Sequence, residues 1–185
     1  MKNLAIFFSG NGSNMQAIIN ASQCADYGAT VKLIICNNAC APGINIASQT
    51  GIKLSIITNG DDQLIYNKMT KNNIDFIALA GYTYILKGII LEKYCERIFN
   101  IHPSLLPLYR GKNAQEQALK DNAKISGCTV HLVNENIDKG KILAQIIVPI
   151  LANDNVESLS KRILRQEHIL YPKIISNYIK SFIKN

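Results

Sequence analysis

Short stretches rich in apolar residues recur along roughly the first hundred residues, at 4–8, 30–36, 53–57, 75–80 and 97–102, the first of them unbroken. Runs of this length, rich in Ile, Leu, Val and Phe, fit strands buried on both faces of a parallel sheet. Between them, residues 15–19, 42–51, 61–72 and 86–94 carry the three-to-four-residue spacing of helices. Pro42 near the start and Gly51 just past the end punctuate the second of these. Strands alternating with helices predict an α/β fold, a doubly wound, mostly parallel Rossmann-like sheet with right-handed crossovers. The pattern then changes. After a helix over 113–120, the apolar runs 128–133 and 141–148 are separated only by a polar loop, which predicts an antiparallel hairpin. Residues 155–182 predict a long amphipathic C-terminal helix, interrupted near Pro172. No repeat, low-complexity tract or linker divides the chain, so one domain over residues 1–185 is expected.

Composition narrows the class. No apolar run approaches the ~20 residues of a membrane span. Met1-Lys2-Asn3 leads into a short apolar run without a cleavage pattern, so a cytoplasmic protein is expected. Cys24, Cys36, Cys40, Cys95 and Cys128 are too scattered for a disulfide framework, and no second Cys/His pair completes a zinc site with Cys36 and Cys40, so no metal is expected. Twenty basic against thirteen acidic residues give a net charge of +7. The basic residues form no block and no RNA-binding signature accompanies them. The charge therefore means solubility or the steering of polyanionic small substrates, with no nucleic acid and no membrane as partner.

Two segments carry candidate chemistry. The first apolar run ends in Ser9-Gly10-Asn11-Gly12-Ser13-Asn14, and a helix follows. Strand, glycine-rich turn and helix can present free N–H groups and the positive end of a helix to an oxyanion. Ser13 or Asn14 is expected to cap the helix. Without Gly-Lys-Ser/Thr or a third glycine, the turn fits a phosphomonoester better than a nucleotide, or it is simply a tight turn. The second segment is Asn100-Ile101-His102-Pro103-Ser104-Leu105-Leu106-Pro107. Asn100 and His102 share one face of an extended strand. Pro103 ends that strand, so His102 stands at its carboxyl end, where open α/β sheets bind ligands. Spacing alone suits catalysis and a satisfied structural place equally. Asp138, in the hairpin loop, is the candidate carboxylate. An Asn/His/Asp set without a serine or cysteine nucleophile suits proton shuttling around a tetrahedral intermediate rather than acyl-enzyme chemistry. Ser104 is expected in a turn or cap, His131 in a structural place within its apolar run, and His168 in a helix with no assigned role.

Taken together, Gly10–Asn14 as a glycine loop, Leu79-Ala80-Gly81-Tyr82, the segment from Asn100 to Pro107, Gly127-Cys128-Thr129-Val130-His131, Asp138 before Gly140, and Gln166-Glu167-His168 before Tyr171-Pro172 resemble the phosphoribosylglycinamide formyltransferase family over essentially the whole chain. The Asn-Ile-His-Pro-Ser-Leu-Leu-Pro segment marks the wider group of formyltetrahydrofolate-using enzymes, and the early glycine loop narrows the choice. The resemblance implies transfer of a formyl group from 10-formyltetrahydrofolate, a co-substrate, to the amine of glycinamide ribonucleotide in purine biosynthesis, without a metal. It implies that Gly12, Ser13 and Asn14 hold the ribonucleotide phosphate and that Glu167 receives the ribose hydroxyls. It implies a folate pocket of Thr83, Tyr84, Ile85, Leu86 and Asn100 with Asn134, Glu135, Asn136, Ile137 and Asp138, and with Gln63, and catalytic roles for Asn100, His102 and Asp138. Relatives tend to carry arginines where this chain has Gln63 and Tyr84, so the folate glutamate tail is expected to be held more weakly or by other lysines. A monomer or weak homodimer is expected.

Overall fold

A computed structural model describes residues 1–184; Asn185, the last residue of the expected domain, lies outside the described residues. The strands are β1 (Lys2–Phe8), β2 (Ala29–Cys36), β3 (Lys53–Ile56), β4 (Phe76–Leu79), β5 (Ile98–His102), β6 (Ile125–Leu132) and β7 (Ile142–Pro149). The helices are α1 (Ser13–Ser22), α2 (Gly43–Gln49), α3 (Asp62–Lys71), α4 (Gly88–Lys93), α5 (Ala114–Lys120) and α6 (Val156–Lys184). One sheet runs in the order β3-β2-β1-β4-β5-β6-β7. The first five strands are parallel, and β6 is antiparallel to both β5 and β7. This is the doubly wound sheet with a terminal hairpin that the apolar pattern predicts.

Alternation along β1 explains why the sheet is covered on both sides. Leu4, Ile6 and Phe8 enter a core shared with α1 and α6, through Met15, Ile18, Ile163 and Ile175. Ala5 and Phe7 face the other way, into a core shared with α3 and α4, through Ile65, Met69 and Ile90. A strand flanked by apolar layers on both faces must be apolar at every position, which is the unbroken run seen in the sequence.

Two local expectations need correction. Neither Ser13 nor Asn14 caps α1. The N-cap is Gly12 in the left-handed region at φ 75°, with no side-chain cap bond, and the helix starts at Ser13. A β-carbon on Gly12 would come within 2.9 Å of Met15 Cε and 3.1 Å of Gly43 Cα, so both the φ and the close approach require glycine. Nor does Pro172 interrupt the last helix: α6 runs through it as one element. Pro172 removes one hydrogen bond, but the turns on either side are anchored. Tyr171 is fully buried, and its hydroxyl lies 3.0 Å from the carbonyl oxygens of both Leu79 and Phe99. Ile175 and Ile179 are fully buried beyond it, and packing holds the helix across the lost bond. Its start is set by Asn155, which exchanges bonds with Ser158 in both directions, at 2.9 and 3.0 Å.

Candidate active site

The carboxyl end of β5 is where the site gathers. Register does the first part. Asn100 pairs directly with Leu79 of β4 on one side and His131 of β6 on the other. Residues opposite one another in an antiparallel pair share a face, so His131 joins Asn100 and His102 there. Asn100 Nδ2 lies 3.1 Å from His131 Nε2, while His131 Nδ1 lies 2.9 Å from the Leu132 carbonyl oxygen. A ring that donates from Nδ1 to that carbonyl has its Nε2 lone pair free to accept from the amide. A β-bulge on β7 falls opposite Val130 and His131, the kind of irregularity that re-aims side chains beside functional sites.

Asp138 enters from the β6–β7 loop. Its backbone is left-handed, at φ 52°. Gly140 lets the loop close, because a β-carbon there would sit 1.6 Å from the Leu132 carbonyl oxygen. Asp138 Oδ2 lies 3.3 Å from His102 Nδ1 and accepts the Gly111 N–H at 2.9 Å. Its Oδ1 lies 3.4 Å from both His131 Nε2 and Asn100 Nδ2. Burial pushes this carboxyl up, but the nearby His131 and His102 rings and the Gly111 N–H outweigh it and hold the group below its ordinary value. The far side of His102 meets the Tyr109 carbonyl oxygen, 2.7 Å from Nε2. Both ring nitrogens thus face oxygen atoms.

The turn after β5 is pinned by residues that sequence reasoning left unassigned. Thr129 Oγ1 donates to the Ser104 carbonyl at 2.6 Å and accepts the Leu106 N–H at 3.1 Å. Gln145 Nε2 reaches both the Leu106 carbonyl and Thr129 Oγ1 at 2.9 Å. Ser104 is fully buried and donates to the Leu108 carbonyl, the turn role expected of it. The Leu106–Pro107 peptide is cis.

Two cavities flank this point and share Gly81 and Ile101 in their walls. One, of about 420 Å³, is lined by Thr83, Tyr84, Ile85, Leu86 and residues 134–138, together with Asn100, His102 and His131. The other, of about 350 Å³, is lined by Asn14 and Glu167. Asn14 Nδ2 donates to Glu167 Oε2 at 2.7 Å, across 153 residues of sequence. Glu167 is 6% exposed, and burial pushes its carboxyl up against the lowering effect of that bond. The first bond of α1 runs from the Gln16 N–H to the Gly12 carbonyl, which leaves the N–H groups before it without intrahelical partners, as at an anion-binding helix start.

The structure therefore brings together Asn100, His102 and Asp138. It also gathers Thr83 through Leu86 with Asn134, Glu135, Asn136 and Ile137, and separately pairs Asn14 with Glu167 beside the loop that carries Gly12 and Ser13. It does not bring in Gln63, which is exposed on α3 and bonded to Asn67 at 3.0 Å. It adds His131. That residue is buried, as a structural place requires, yet its ring bonds the proposed catalytic amide. The signal available for it was its position opposite Asn100, which needs the strand register. Among the described residues, no group of three or more His, Cys, Asp or Glu is placed to hold a metal ion.

Residues 2–175 match the family model described as formyl transferase. The chain belongs to the formyl transferase family. Phosphoribosylglycinamide formyltransferase of Escherichia coli is 36% identical to this formyl transferase, over 98% of the chain and 89% of that relative. The trifunctional purine biosynthetic protein adenosine-3 of Chironomus tentans is 38% identical, and there the chain matches 99% of itself but only 14% of the relative's length. Among solved structures, phosphoribosylglycinamide formyltransferase from Brucella melitensis superposes with a TM-score of 0.91 at 39% identity, over 96% of this chain and 95% of that one. The described residues of this formyl transferase include no helix long and apolar enough to cross a membrane.

Proposed function

We propose that the protein is a phosphoribosylglycinamide formyltransferase, one domain over residues 1–185. It moves the formyl group of 10-formyltetrahydrofolate to the amine of glycinamide ribonucleotide in purine biosynthesis. It is a cytoplasmic enzyme of small molecules that works as a monomer or weak homodimer, with neither nucleic acid nor membrane as partner. The observation that carries this reading is two unlike cavities that share Gly81 and Ile101 in their walls, one of them lined by the amide, imidazole and carboxylate of Asn100, His102 and Asp138. The cavity beside α1 suits a phosphosugar: free N–H groups, a helix dipole and a buried carboxylate for ribose hydroxyls. The cavity beyond Asn100 suits a flat heteroaromatic co-substrate, with Leu86 and Ile85 for its faces and Asn134, Glu135 and Asn136 for its polar edge.

The distances support the following chemistry. The ribonucleotide amine attacks the formyl carbon, a C–N bond forms, and negative charge gathers on the formyl oxygen. The Asn100 amide and the His102 imidazole are donors for that charge. The long 3.4 Å contact from Asn100 to Asp138 is weak enough to be exchanged for it, whereas the 3.1 Å bond to His131 keeps the amide oriented. Donors preorganised for a developing oxyanion are worth about 3–4 kcal/mol each where a single one has been removed. The proton lost by the amine passes by way of His102 to the departing folate nitrogen as its bond to the formyl carbon breaks. Asp138, ionised, keeps His102 oriented and balances its charge.

Consumption of formyl folate with and without glycinamide ribonucleotide tests the reading. The proposal expects consumption only with the amine present. Equal consumption without it would make the protein a hydrolase, and phosphosugar binding with no consumption would make it a non-catalytic relative.

A further inference from the structure

A phosphomonoester carries close to two negative charges at neutral pH. The start of α1 offers it N–H donors and a partial positive charge, but α1 has no basic residue anywhere in its sequence SNMQAIINAS. Ser9, Gly10, Asn11 and Gly12 supply none either. Neutral donors alone leave most of the dianion's charge unbalanced.

The cavity lined by Asn14 and Glu167 has one basic side chain in its wall, Lys161 of α6. Lys161, Leu164 and Glu167 follow at three-residue steps and all line this cavity, so one face of α6 carries both the ammonium and the ribose carboxylate. The Lys161 side chain is 67% exposed, and its ammonium rests 2.5 Å from Glu157 Oε1, four residues earlier and 73% exposed. An exposed pair of this kind is weakly held, and an arriving dianion competes well for the ammonium. Glu157 also lines the cavity. Its carboxylate repels a phosphate unless something cancels it, and Lys161 is the group that does so. Gln115 of α5 and Ser160 are the neutral polar neighbours.

We infer that Lys161 is the specificity-determining cation for the ribonucleotide phosphate. It stands between Glu157 and the phosphate, offsetting the first and binding the second, and completes the cradle that the α1 N-terminus begins. This rests on the formyltransferase reading above and names the residue through which this chain prefers the phosphorylated substrate.

The test measures glycinamide ribonucleotide affinity and steady-state kinetics in Lys161→Ala, Lys161→Arg and Lys161→Ala/Glu157→Gln. Lys161→Ala is expected to raise Kd and KM for the ribonucleotide by about tenfold, the usual scale for one charge-assisted bond, with the folate KM unmoved. Lys161→Arg keeps the wild-type values, and Glu157→Gln recovers part of the loss. The tenfold gap shrinks as salt is raised, because an exposed charge pair is screened. Calorimetry with ribose 5-phosphate against ribose gives a readout independent of turnover: the preference for the phosphorylated sugar narrows in Lys161→Ala. Wild-type binding of glycinamide ribonucleotide with no change in Lys161→Ala overturns this inference alone. Failure of the wild-type protein to bind glycinamide ribonucleotide overturns the formyltransferase reading and this inference with it.

Discussion

On the α1 side of Ile101, the groups that face the cavity come from helices. Asn14 stands in the first turn of α1, and Glu167 stands on α6. On the other side they come from strand ends and loops: Asn100 and His102 from β5, His131 from β6, Asp138 from the hairpin loop. The first cavity depends on a glycine turn and one helix-to-helix bond, both tolerant of small shifts. The second depends on register. A slip of one residue between β5 and β6 would turn His131 to the opposite face of the sheet and unpair it from Asn100. On the proposed function, binding of the phosphosugar and chemistry on the formyl group rest on separate parts of the fold, and each should fail without the other.

The sharpest break in that comparison is His102→Ala or Asp138→Ala. Each should lower kcat on the order of 10³-fold, the scale of a lost general acid–base or its partner, while the ribonucleotide Kd stays near wild type. Near-normal turnover in either variant would remove the role assigned here. His131→Ala comes next. It frees the Asn100 amide and should lower kcat roughly 10- to 100-fold, the cost of a buried donor left without its partner. Restoration by His131→Gln, which offers the amide an acceptor, would identify orientation as the cause; no drop in kcat would return His131 to a purely structural role. On the other side of Ile101, Gly12→Val should weaken the ribonucleotide roughly tenfold, because a branched side chain at φ 75° is strained and meets Met15 and Gly43. A change confined to folate affinity would contradict the phosphate-loop assignment.

The smallest effect concerns pH. The Asp138 carboxyl is depressed in the folded state. Its ionised form therefore adds stability that is fully present above the ordinary carboxylate value of about 4 and is lost as pH falls through the lower folded value. Asp138→Asn removes this dependence. Thermal unfolding followed from neutral pH to below about pH 4 should show a shallower acid-side decline in the variant. Parallel curves would mean that the carboxylate is not held by its neighbours as described.

Much of this arrangement was legible in the chain. The apolar runs forecast the parallel strands because burial on both faces leaves no polar position, as Leu4 through Phe8 illustrate. Pro103 forecast the end of β5, and the glycine loop forecast the start of α1. His131 was not legible as part of the site, because its partner Asn100 lies 31 residues away and only the β5–β6 register brings them to 3.1 Å. The supporting bonds from Thr129 and Gln145 to the turn after β5 are equally non-local. Pro172 misled for a different reason. A proline's local cost is fixed, but the burial of Tyr171 and Ile175 on either side of it is set by tertiary packing. Gln63 shows the converse, a position suggested by resemblance whose side chain the fold turns toward Asn67.

The most direct test of the central claim follows a carbon label. Formyl folate carrying ¹³C in the formyl group is mixed with the protein and glycinamide ribonucleotide, and the products are read by NMR. If the two cavities deliver their ligands to one amide, one imidazole and one carboxylate, the label passes to the ribonucleotide amine and appears as a formamide, with none released as free formate. Label accumulating as formate, whether or not the ribonucleotide is present, would contradict direct transfer at this site.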